Sequence, residues 1–109
     1  MKRLEVNEAL ALAIGHPRSH VITCYDNDSA DEDEFRAVYV LLGGEWRLFD
    51  YEDPSVIWPI AERFDCFPQR NYAIGKDLLK WAALGKYGLA YCEKTPQLAV
   101  ASAVIGRTK

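Results

Sequence analysis

The stretch from Trp46 to Phe64, WRLFDYEDPSVIWPIAERF, constrains the fold most, because a strand-like half leads through an Asp-Pro turn directly into a helix-like half. Asp53 is placed to cap a helix whose first residue is Pro54. An aspartate accepts from the orphan donors of the first turn, and proline has no N–H to lose there. Ile57, Ile60, Ala61 and Phe64 then recur at helical spacing and form a stripe to be buried. Pro59 interrupts this pattern, since it removes the N–H that would pair with the carbonyl of Ser55. The helix is therefore either kinked or properly begins near Ile57, and the favoured geometry is a one-turn entry followed by a main helix that ends near Asp65.

The flanks extend the pattern. From Glu5 to Ile14 the residues Val6, Ala9, Leu10, Ala13 and Ile14 recur at steps of three and four, which predicts a helix closed by Gly15 and Pro17. HVITCY, from His20 to Tyr25, reads as a strand, as does FRAVYVLL from Phe35 to Leu42. Gly43-Gly44 supplies a tight turn into a third strand over Trp46 to Tyr51, so these last two should be antiparallel neighbours. Beyond Cys66, RNYAIG suits a short strand, KDLLKWAALG favours helix by propensity, and GKYGLAYCE reads as a turn and a short apolar run. Thr95 and Pro96 open a final helix with Leu98, Ala101, Val104 and Ile105 on one face up to Gly106. It is rich in small residues and should pack closely on a sheet.

A chain of 109 residues, half of them hydrophobic and 27% charged, suits one domain, residues 1–109, with a single core. No uncharged run approaches the roughly 20 apolar residues that span a bilayer. Glu5 and Glu8 stand where a signal peptide would carry its apolar stretch. The expected place is the cytoplasm, with no membrane partner. Cys24, Cys66 and Cys92 are odd in number and lack metal or disulfide spacing, so buried reduced thiols are expected. The net charge of −3 hides an asymmetry: six of the sixteen acidic residues fall between Asp26 and Glu34, which leaves 13 basic against 10 acidic, or +3, elsewhere.

Three pieces of the chain together resemble a known family: the opening helix with its terminal Gly15, the segment FDYEDPSVIWPIAERFDCF, and the ending KWAALGKYGLAYCEKTPQLAVASAVI. They are similar to the small phage and prophage proteins called NinX-like, also described as phage ABA-sandwich domains. The matching residues include Pro54, Ser55, Trp58, Pro59, Ile60, Glu62 and Arg63, then Trp81 and Ala83, and finally Thr95, Pro96, Ala99 and Ala103. Residues 18 to 45 have no counterpart in the pattern. The resemblance implies an α+β fold, a phage or prophage origin and no established activity. Against the propensity reading, it also implies a strand over residues 79 to 84 with Leu79, Trp81 and Ala83 on one face.

The residues that could carry chemistry are few. DNDSADEDE, from Asp26 to Glu34, lacks the glycine that a calcium loop of the helix-loop-helix type needs at its sixth position, where Asp31 stands. It reads as an acidic surface loop in which Asp31, Glu32, Asp33 and Glu34 offer a basic protein partner a dense negative charge. His16 and His20 are four apart, but Pro17 prevents the helix that would align them as metal ligands. No nucleophile elbow, Cys/His pairing or phosphate-cradling glycine loop occurs, so neither a catalytic residue nor a cofactor is expected. Arg63, Arg70, Lys76, Lys80 and Lys86 are interleaved with Trp58, Tyr72, Trp81 and Tyr87, the mixture that holds single-stranded nucleic acid. A pI of about 5.3 argues against that use, because phosphate binding needs a strongly positive face.

The expected architecture is α+β, a small antiparallel or mixed sheet covered by about three helices in the order α-β-β-β-α-β-β-α. The expected role is non-enzymatic binding of a phage or host protein, with weak single-stranded nucleic-acid binding as the alternative.

Overall fold

The computed structural model describes residues 2–24, 37–70, 81–84 and 90–107, and the chain divides into two compact units, Met1–Asp50 and Tyr51–Lys109. The fold is α+β, with three α-helices among the described residues and strands that form two antiparallel three-stranded sheets, one in each unit. The acidic run 26–34, Tyr72, Lys76, Lys80, Lys86 and Tyr87 lie outside the described residues.

In the first unit, helix α1 spans Arg3–Ala13. It ends in paired bonds from Gly15 N–H to the Leu12 carbonyl (3.1 Å) and from His16 N–H to the Ala11 carbonyl (3.2 Å), with Gly15 at φ 108°. A left-handed residue is needed to close a helix this way, and glycine adopts that conformation without a Cβ penalty. The buried positions are Val6, Asn7, Leu10 and Ala11. The core stripe is therefore turned slightly from the expected one, leaving Ala9 and Ala13 only half-buried.

A single 3-10 turn, Arg18–His20, leads into β1 (Val21–Cys24). Strand β2 (Ala37–Leu42) and β3 (Glu45–Phe49) follow, in the order β1-β2-β3. The hairpin turn places Gly43 at φ 59° and Gly44 at φ 82°, a primed turn whose twist matches its strands. Its register pairs Leu42 with Glu45, Leu41 with Trp46, Val40 with Arg47, Tyr39 with Leu48 and Val38 with Phe49. Helix α1 packs on β1 and β2. Leu10, Val38 and Val40 are almost fully buried, and each contributes about 1.5–3 kcal/mol by leaving water.

In the second unit, helix α2 runs unbroken over Pro54–Phe64, with Pro59 inside it. Asp53 caps it as expected, its carboxylate accepting from the N–H of Ser55 at 2.9 Å. The expected restart near Ile57 does not occur. Ser55 and Pro59 are both exposed, so water can serve the carbonyl that Pro59 leaves without a helical donor. The helix ends at Asp65 in the left-handed region (φ 51°, ψ 51°), and the N–H of Cys66 returns to the Ala61 carbonyl at 3.0 Å.

Strands β4 (Gln69–Arg70), β5 (Trp81–Leu84) and β6 (Ala90–Glu93) form the second sheet, with β5 in the centre. Helix propensity is overruled at residues 81–84, where pairing on both sides holds the chain extended; Leu79 is outside the described residues. Helix α3 (Pro96–Arg107) is capped by the Thr95 hydroxyl, which accepts from Leu98 N–H at 3.1 Å. It packs on β5, β6 and α2, with Ala99, Ala101 and Ala103 buried without residue exposure, so small side chains permit the close approach that was expected. No helix among the described residues is long and apolar enough to cross a membrane.

Candidate functional site

Side chains alternate across a strand, so the register separates the two faces of the first sheet. Val38, Val40 and Phe49 are buried on the face toward α1. The opposite face carries a row across all three strands, Ile22, Tyr39 and Leu48, flanked on one side by Leu41 and Trp46 and on the other by Cys24 and Ala37. None of these side chains is charged. Ile22 is 40% exposed, Trp46 44% and Leu48 55%. Large apolar groups contiguous across a sheet keep water at a cost, and such patches mark contact sites.

Sequence reasoning missed this surface. The signal was present in AVYVLL, which is apolar at every position of β2, as a strand is when both of its faces are to be covered. It also corrects the expectation for one cysteine: Cys24 is exposed on this face, whereas Cys66 is buried and Cys92 half-buried, and all three are free thiols.

Among the described residues read as a nucleic-acid site, the structure joins two. Arg70 lies opposite Trp81 in the β4–β5 register, its guanidinium 5.5 Å from the centre of the indole ring. Trp81 shares a sheet face with Ala83 and with Tyr91 and Glu93 of β6, the face on which α3 packs, and Ser102 of α3 donates to Glu93 at 3.1 Å. Trp81 is accordingly half-buried, with a cation over its ring. Arg63 sits 5.0 Å from the ring of Phe64, its neighbour in α2, and Trp58 is half-buried in the same helix.

On the other face of the second sheet a cleft of about 330 Å³ is lined by Asp65, Cys66, Phe67, Gln69, Ala82 and Leu84. Burial pushes the Cys66 thiol up from its ordinary value; the Arg107 guanidinium offsets part of the shift, and Asp65 adds to it. A thiol held protonated is a poor nucleophile and a poor metal ligand. Among the described residues no group of three His, Cys, Asp or Glu is placed to hold a metal ion. The ring of His16 instead meets Phe49 edge-on, with centroids 6.2 Å apart.

Comparison with protein-family models, curated proteins and solved structures finds no match for this chain.

Proposed function

We propose that the chain is an accessory protein of phage or prophage origin that works in the bacterial cytoplasm by binding another protein, without chemistry of its own. The observation that carries the reading is the uncharged outer face of the first sheet, where Ile22, Trp46 and Leu48 are large, apolar and substantially exposed. The phage origin rests on the resemblance of the opening helix, the Pro54–Arg63 segment and the closing Thr95-Pro96 helix to NinX-like proteins. The acidic run 26–34 joins β1 to β2 in sequence, and the reading assigns partner binding to the charge of Asp31, Glu32, Asp33 and Glu34 as well as to the apolar face. Such a surface suits a partner with an apolar patch bordered by lysine or arginine.

The test is affinity capture from infected or induced cells with three baits: wild type, Leu48→Asp, and a charge reversal of Asp31 to Glu34. Both variants should lose the captured partner without a fall in melting temperature. An unchanged partner set with both variants overturns the reading.

Single-stranded nucleic acid is the second reading, and the contact between Arg70 and Trp81 is the observation that favours it. The same contact occupies a ring face that a base would need for stacking. Absence of any shift of a labelled oligonucleotide at low salt removes it.

A further inference from the structure

Strand β3 lies at the edge of its sheet: among the described residues it pairs with β2 alone. The Gly43-Gly44 turn determines which of its peptide groups face outward. A two-residue turn closes with the Glu45 N–H donating to the Leu42 carbonyl, so Glu45, Arg47 and Phe49 direct their backbone groups to β2. Trp46 and Leu48 then direct theirs to the open edge. Such an edge is a template for a further strand.

The side chains determine which strand fits. Glu45 and Arg47 form an ion pair at 3.6 Å, and both are mostly exposed. We propose that β3 pairs antiparallel with β3 of a second copy of this chain, about a two-fold axis through Trp46. In that register Trp46 exchanges both backbone hydrogen bonds with the second copy's Trp46. Each Glu45 faces the second copy's Arg47 at the closely spaced, non-hydrogen-bonded position. Two other two-fold registers would also pair outward groups with outward groups. One centred on Arg47 sets two guanidinium groups against each other, and one centred on Leu48 sets Arg47 against Phe49. Only the Trp46-centred register matches every charge with its opposite.

Charges on an edge strand normally discourage sheets from joining. A single sign would do so here, but a negative and a positive side chain two residues apart complement their own reversed copy. The contact runs along the sheet edge and continues the apolar face from one copy to the other, with the two Trp46 side chains adjacent on it. It covers few residues, so the association is weaker than that of a standard interface.

The experiment is sedimentation of the full chain up to about 1 mM, with circular dichroism as the check on folding. Wild type should dimerise, and Arg47→Glu and Glu45→Arg should each weaken the dimer by about tenfold or more. The doubly exchanged chain, Glu45→Arg with Arg47→Glu, should dimerise as wild type does. The two single variants should form a mixed dimer when combined, which two unfolded chains could not do. The Trp46 amide should exchange more slowly with solvent as concentration rises. A wild type that stays monomeric overturns the proposal, as does a dimer indifferent to these charges.

Discussion

The Tyr91 side chain lies directly against the backbone of Gly106: a Cβ built on that glycine would collide with the phenol hydroxyl and sit 2.5 Å from the ring carbon that bears it. Glycine is thus required inside α3 for space and not for a turn. Gly106→Ala raises helix propensity by about 1 kcal/mol but forces an overpacking cost of about 1–3 kcal/mol, so a net loss of stability is expected in urea titration. Tyr91→Phe removes the nearest atom and should recover part of the loss when combined with it. Additive effects of the two substitutions would show that the ring is not the obstacle.

Pro59 offers the reverse case. Because α2 continues through it and its ring faces solvent, an alanine there can donate to the Ser55 carbonyl without moving anything. Pro59→Ala should raise stability by about 1 kcal/mol, after the lost chain stiffness of proline is subtracted. The denaturation midpoint should rise with an unchanged slope.

Arg107 joins the last turn of α3 to two carbonyls, donating to Phe64 at 2.5 Å and to Leu84 at 3.1 Å. The first belongs to the end of α2, where carbonyls lack helical donors. Arg107→Met should cost about 1.5–3 kcal/mol, and Arg107→Lys less, since an ammonium cannot span both acceptors in one plane.

Cys66 links stability to pH. Its folded pKa lies above the ordinary value of 9.0, so the native state holds the proton more tightly than the unfolded chain. That contribution is fully present below pH 9.0 and is lost as the pH rises through the raised folded value. Wild type should therefore destabilise more steeply than Cys66→Ala above that pH. In the native protein a thiol reagent should label Cys24 first and Cys66 last.

Local chemistry made much of each unit legible. Asp53-Pro54 and Thr95-Pro96 announce their helices because a cap is a property of adjacent residues, and Gly43-Gly44 announces its hairpin for the same reason. Local propensity hid the strand at Trp81–Leu84, since WAAL suits a helix and only pairing with β4 and β6 decides otherwise; it was the family resemblance that implied a strand there, with Trp81 and Ala83 on one face. The continuity of α2 was hidden as well, because whether a missing N–H matters depends on which side of the helix meets water. The apolar face was written in AVYVLL but could not be distinguished from core without knowing that α1 covers only one side. Of the charged and aromatic residues read as a nucleic-acid surface, Arg70 and Trp81 meet across two strands, a contact that sequence spacing does not reveal.

The paired glycines of the first hairpin act as a phase setting for the whole sheet. Side chains alternate with a period of two, so a slip of one residue in the pairing of β2 with β3 would exchange the places of Trp46 and Leu48 with those of Glu45 and Arg47. The apolar outer face of Ile22 and Tyr39 would then carry the charges. By holding that phase, two residues without side chains determine the polarity of every side chain downstream of them in β3.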